Sequence, residues 1–151
     1  TEIEILRLLL MRYSRVSAER VLSGAGIENI YWALTRLRGA EHRLGSAPAI
    51  SAAALVGDDP VAGETLSIFC RVLGTVAGNL ALTVGAHGGV YIAGGIAPRI
   101  LPFLRHGGFR DRFLAKGRFR SYLESVPTRI LTRNDAGLFG ALQFLKCSHK
   151  P

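Results

Sequence analysis

The stretch from Val72 to Pro98 contains no aspartate, glutamate, lysine or arginine, and this constrains the fold more than any other segment. By length it could form one transmembrane helix, which takes ~20 apolar residues. Its seven glycines, with Asn79 and His87, argue against that, because Gly88-Gly89 and then Gly94-Gly95 interrupt it. Two buried elements, a helix and then a strand, account for it better. The strand half reads Gly89-Val90-Tyr91-Ile92-Ala93-Gly94-Gly95-Ile96-Ala97 before Pro98. A short β-type run thus ends in two glycines, and a proline opens the next helix. Such a unit lets backbone approach a ligand closely and turns a helix N-terminus toward it. Many α/β domains place a glycine pair at a strand end, so the neighbouring segments decide its meaning.

With 151 residues, 48% apolar and 20% charged, the chain fits one folded domain. That length buries roughly two-thirds of the unfolded surface in a single core. The formal charge of +8 is high for this length. It comes without a zinc finger or an RNA-binding aromatic signature, so a solvated basic surface is preferred over attraction to nucleic acid or phosphorylated ligands. Cys70 and Cys147 lie far apart and build no disulfide framework, which suits a reducing cytosol. Thr1-Glu2-Ile3-Glu4 carries acids where a signal peptide carries bases. A cytoplasmic protein that does not span a membrane is expected.

Apolar residues at helical spacing predict a helix from Thr1 to about Tyr13, a short one from Ala18 to Leu22 capped by Ser17, and a third from Gly26 to Leu37. Residues 39–49 read as a polar connection and Ser51 to Val56 as a short helix. Asp59-Pro60 resembles a cap followed by a first-turn proline. The helix it opens runs to about Val84, with Leu66, Phe69, Leu73, Val76, Leu80 and Val84 as its apolar stripe. Gly74 and Gly78 on it permit a close neighbour, and an apolar helix of this kind is expected to lie across a sheet. After the Val90–Ala93 strand come helical segments at Pro98–Leu104 and Arg110–Leu114, a second strand at Pro127–Thr132 and a final helix at Leu138–Lys146. The tail from Ser148 to Pro151 reads as loose. Alternation of helices and strands implies a parallel pair in an α/β layer. Parallel strands seldom stand alone, so further strands are expected from polypeptide outside this chain.

The residues offer no self-contained catalytic set. His42, His87, His106 and His149 lack metal-ligand spacing, and neither a Walker A loop nor a nucleophile elbow is present. His87, beside Gly88-Gly89, reads as a residue at a helix C-terminus. Glu19, in the polar turn Ser17-Ala18-Glu19-Arg20, is either an exposed carboxylate near a helix cap or a ligand contact. Asp135 most simply caps the last helix. Arg105, His106, Arg110, Arg112, Lys116, Arg118 and Arg120, interleaved with Phe109, Phe113 and Phe119, read as a solvated basic face over a phenylalanine core side.

Four segments, in order, carry a resemblance. They are Val16-Ser17-Ala18-Glu19-Arg20-Val21-Leu22-Ser23-Gly24; Gly78-Asn79-Leu80-Ala81-Leu82 with Gly88 to Ile96; Phe109-Arg110 with Lys116-Gly117-Arg118-Phe119; and Asn134-Asp135-Ala136-Gly137-Leu138-Phe139-Gly140-Ala141. Together they resemble the C-terminal portion of the bacterial glucokinases, ATP-dependent sugar kinases of the actin-like superfamily. The resemblance covers nearly all of residues 1–151 and implies an α/β fold: the C-terminal lobe of an actin-like (ribonuclease H-like) ATPase, helix-rich with a few parallel strands. It implies phosphorylation of glucose at its 6-hydroxyl, with Mg²⁺ and ATP. Glu19 would bind glucose hydroxyls, and Gly94 and Gly95 would line the adenosine side of ATP, buttressed by the helix near Pro98. The catalytic aspartate, the phosphate-binding turns and the remaining sugar ligands would lie upstream, in an N-terminal lobe absent from these residues. The fragment alone would be inactive. A homo-oligomer is a further expectation. The alternative is a sugar-sensing transcriptional regulator built on the same module, which would touch nucleic acid only through a fused domain.

Overall fold

Asp59 shows how local chemistry sets the central element. Its Oδ1 accepts from the amides of Val61 and Ala62 at 2.8 and 3.0 Å. Pro60, which has no amide to satisfy, takes the first helical position. In the computed structural model, which describes residues 1–133 and 135–148, this helix is α4 (Pro60–Thr83). Before it come α1 (Glu2–Leu10), a three-residue 3₁₀ turn (Ala18–Arg20), α2 (Gly24–Arg38) and α3 (Ala47–Val56). After it come β1 (Val90–Ile92), α5 (Leu101–His106), α6 (Phe109–Leu114), a second 3₁₀ turn (Gly117–Phe119), α7 (Arg120–Glu124), β2 (Thr128–Ile130) and α8 (Ala136–Ser148). The strands pair in parallel, Val90 with Thr128 through Ile92 with Ile130, and form the whole sheet among the described residues. Asn134 and His149–Pro151 lie outside the described residues, and with them part of the expected cap before α8 and of the loose tail.

The core is helical. Leu9 of α1, Ile27, Ile30, Tyr31 and Leu34 of α2, Ile50 of α3, and Leu66, Ile68 and Phe69 of α4 are buried together, joined by Ile100, Phe113, Leu123 and Val126. Burial of so many aliphatic and aromatic side chains is the main stabilising term, at about 1.5–3 kcal/mol for each large one. Ion pairs tie the layers further: Glu2 on α1 meets both Arg71 of α4 and Arg112 of α6. Glu28 on α2 accepts the amide of Ala47, the first residue of α3, at 2.9 Å.

Several sequence expectations change. Helix α3 begins at Ala47, because Ser46 accepts the Ala49 amide and Pro48 sits in the first turn; residues 47–49 are therefore not part of the polar connection. Ser17 makes no side-chain cap, and the segment it precedes is a 3₁₀ turn of three residues rather than a helix to Leu22. The stripe on α4 holds at Leu66 and Phe69 but fails beyond them: Leu80 and Val84 are exposed, and the buried face there is Gly74, Ala77, Gly78 and Ala81. The reason is the approach of α6. A Cβ at Gly78 would lie 2.6 Å from the Phe113 carbonyl oxygen, and one at Gly74 would run into that of Phe109. Accordingly α4 packs chiefly on α2, α3 and α6 rather than across the sheet, with Phe69 and Leu73 alone lining a cavity at the end of β1.

Helix α4 is also long and apolar enough to cross a membrane, yet 50% of its most apolar window is buried inside the protein. A core helix has that pattern. By contrast α8 has no buried residue, and Leu138, Leu142 and Phe144 on it are exposed.

Candidate functional site

Strand β1 ends at Ile92, and the chain passes Ala93 into Gly94, whose φ of +106° only glycine adopts without strain. Gly94 and Gly95 are both exposed, and a Cβ built on either would meet no atom within 4 Å. The loop therefore presents bare main chain to open space. Past it the chain does not enter a helix at Pro98. Ile96 O first accepts the amides of Arg99 and Ile100 in a turn, and α5 starts only at Leu101. The first buried residues after the glycines are Ala97 and Ile100, and no helix N-terminus stands at Pro98.

A cavity of about 150 Å³ opens beside this loop, lined by Leu22, Phe69, Leu73 and the run Ile92 to Ala97. Leu22 connects it to the turn that carries Glu19. Within that turn the Arg20 amide donates to Ser17 O at 3.0 Å and the Leu22 amide to Ala18 O at 2.8 Å. The carboxylate of Glu19 is exposed and makes no hydrogen bond or ion pair with any described residue. Leu22 links the predicted site residues along the chain: it lines the cavity with Gly94 and Gly95 and follows Glu19 by three residues. Glu19 itself does not line the cavity.

Sequence reasoning missed the residues that hold this turn. Asn29, buried on α2, donates from Nδ2 to the Arg20 carbonyl at 2.9 Å. Its Oδ1 accepts from the Tyr13 hydroxyl at 3.0 Å. The Arg20 guanidinium lies 4.3 Å from the centre of the Tyr13 ring. Gly26 lets the first turn of α2 press on Val21, where a Cβ would come within 2.6 Å of the carbonyl oxygen. The readable signal was an asparagine inside the otherwise apolar Ile27–Leu34 face.

The basic run is largely structural. Arg110 donates to the carbonyls of Leu123, Glu124 and Val126, which closes the end of α7. Arg112 pairs with Glu2, Lys116 donates to Thr75 O at 3.0 Å, and Arg120 pairs with Glu124. Phe109 and Phe113 stack beneath, buried, at 6.2 Å. His87 sits in the loop beyond α4, four residues past its last residue, with its ring against Tyr122 at 5.0 Å. Asp135 pairs its carboxylate with Arg133, and its carbonyl accepts the Phe139 amide in α8. Among the described residues no group of three or more His, Cys, Asp or Glu could hold a metal ion.

Comparison with known proteins gives the family and the fold. The sequence model of the family described as Glucokinase matches residues 1–148. Glucokinase of Hahella chejuensis is 45% identical over 145 residues, which is 96% of this chain and 45% of that protein. That of a Caulobacter species is 47% identical over 141 residues, 93% of this chain and 43% of its own length. The crystal structure of a glucokinase from an Antarctic psychrotroph superimposes with a TM-score of 0.87 at 38% identity, covering 95% of this chain and 45% of that one. The chain thus spans a little under half the length of these relatives, and over that span it has their fold, helix-rich with two parallel strands. By sequence and by fold, the chain belongs to the glucokinase family.

Proposed function

We propose that this chain supplies one side of the active cleft of a cytoplasmic glucokinase, which transfers the γ-phosphoryl group of ATP to the 6-hydroxyl of glucose. One observation carries the reading: an unpaired carboxylate, Glu19, is held on a turn whose exit residue, Leu22, shares a cavity with the bare glycine loop Gly94–Gly95. A free carboxylate accepts hydrogen bonds from two neighbouring sugar hydroxyls and leaves a wrong sugar with unmatched partners. The open main chain at Gly94 and Gly95 suits the flat face of an adenosine. In the transfer, the bond from phosphorus to the ADP oxygen breaks as the bond to O6 of glucose forms. The proton of that hydroxyl passes to an aspartate supplied by the remaining part of the enzyme. The nucleotide enters as Mg–ATP, and among the described residues there is no cluster of three or more His, Cys, Asp or Glu for its metal. Phosphoryl transfer depends on positioning at both ends, so residues 1–151, as the C-terminal portion, are inactive by themselves. The exposed apolar residues Ile3, Leu10 and Met11 of the α1 region suit a homo-oligomer. No observation favours the regulator alternative, and the relatives named above are all glucokinases.

The test is a chimaera in which residues 1–148 replace the matching segment of the Hahella chejuensis glucokinase. It is expected to phosphorylate glucose, and Glu19→Gln in it to lower kcat/KM for glucose by about a hundredfold, as for a hydrogen-bonding site deprived of its charge. A folded chimaera that consumes no ATP with glucose, or a Glu19→Gln variant with unchanged glucose kinetics, overturns the proposal.

A further inference from the structure

The 3₁₀ turn that presents Glu19 is three residues long, too short to fix its own orientation by internal hydrogen bonds. What fixes it lies on α2 and just after α1. Asn29 is 6% exposed and spends both ends of its amide on this task, Nδ2 on the Arg20 carbonyl and Oδ1 on the Tyr13 hydroxyl. Tyr13 in turn carries the Arg20 guanidinium on its ring. The residue that follows Glu19 is thus held through both its main-chain carbonyl and its side chain. A buried amide is costly unless fully paired, and this one is paired only while the turn stays in place. None of Asn29, Tyr13 and Arg20 lines the cavity beside Gly94 and Gly95. We infer that Asn29 and Tyr13 are positioning residues for the sugar site, setting the carboxylate of Glu19 against the glucose hydroxyls. This rests on the reading of Glu19 proposed above. Displacement of a binding group by about 1 Å can cost up to a hundredfold in rate, so a partial loss of this hold is expected to be visible.

The chimaera described above provides the assay. Asn29→Asp keeps the size and the bond from Tyr13 but turns an oxygen toward the Arg20 carbonyl. It is expected to raise KM for glucose about tenfold, with KM for ATP changed less than twofold. Tyr13→Phe, a half-buried and milder change, is expected to raise KM for glucose about threefold and serves if Asn29→Asp does not fold. Leu34→Val, five residues along α2 and fully buried, loosens the same helix more than one turn away and is expected to leave KM for glucose unchanged. Glucose KM values within twofold of the parent for both Asn29→Asp and Tyr13→Phe, or an equal rise in Leu34→Val, overturn the inference. Glu19→Gln in the same background separates the two claims. If it too leaves glucose kinetics unchanged, the reading of Glu19 fails; if it alone impairs them, only the positioning role does.

Discussion

Replacing Asp59 with alanine tests whether one buried carboxylate organises the core. In the structure it caps α4 through the amides of Val61 and Ala62, accepts the hydroxyl of fully buried Tyr31 at 2.8 Å, and meets Arg43 at 3.4 Å. Loss of the cap costs about 1 kcal/mol. Leaving the Tyr31 hydroxyl buried without an acceptor adds about 1–3 kcal/mol. Arg43 is more than half exposed, so its ion pair contributes little. The total is about 3 kcal/mol, or a fall in Tm of about 6–12 °C for a chain of this size. Scanning calorimetry at pH 7 on the parent, Asp59→Ala, Tyr31→Phe and the double variant measures it. Tyr31→Phe alone leaves the carboxylate capped and is expected to cost about 1 kcal/mol. The double variant then falls short of the sum, because no hydroxyl is stranded. Burial pushes the Asp59 carboxyl up, but the bonds from Ala62, Tyr31 and Val61, with Arg43, outweigh it and hold it below its ordinary value. A depressed folded value makes this contribution complete above pH 3.8 and lost as pH falls below it, so parent and Asp59→Ala converge in acid. A fall in Tm under about 3 °C, or strict additivity in the double variant, refutes this account.

Three further outcomes are expected. In the chimaera, Gly95→Ala should leave Tm within about 1 °C but weaken ATP binding, since its Cβ meets nothing inside the chain; Gly94→Ala, at positive φ, should lower both, by about 1–2 kcal/mol for folding. Burial pushes the Cys70 thiol up to about 12, so a thiol reagent at pH 8 should modify exposed Cys147 quickly and Cys70 only on unfolding. Burial raises the Glu2 carboxyl, but Arg112 and Arg71 more than offset this and hold it below its ordinary 4.5. Its contribution is therefore full above pH 4.5 and fades below it, and Glu2→Gln should flatten the acid limb of a pH–stability curve.

Capping chemistry was readable where one residue type decides the outcome. Asp59-Pro60 started α4 as expected, and the Val90 and Thr128 segments paired in parallel. The second half of α4 was misread because apolar periodicity weighs large side chains. Close packing on α6 buries the small ones instead, so Ala77, Gly78 and Ala81 face inward while Leu80 turns out. Ser46 and Pro48 were a legible helix start that the polar residues before them disguised. Gly94 and Gly95 could be read as a loop needing bare backbone. Glu19 could not be told from any other exposed carboxylate, since its environment supplies no burial or partner, and its proposed role rests on the resemblance of the motif around it. Asn29 stood out as a polar residue on an apolar face, but its task could not be read, because its partners, Tyr13 and the Arg20 carbonyl, are brought to it only by the tertiary fold.

The contact between α4 and α6 also limits how this chain can diverge. What confronts Gly74 is the Phe109 main chain, and Gly78 faces the Phe113 carbonyl along with the end of the Lys116 side chain; both carbonyls are present whatever side chain residue 109 or 113 carries. A larger residue on one helix is usually accommodated by a smaller one on its neighbour, but here the neighbour has nothing left to trim. Any side chain at either glycine would have to push α6 away bodily, drawing Arg112 from Glu2 and Lys116 from Thr75. No second substitution on α6 can reverse that, so the two positions are closed to compensatory change while the rest of the helix stays open to it.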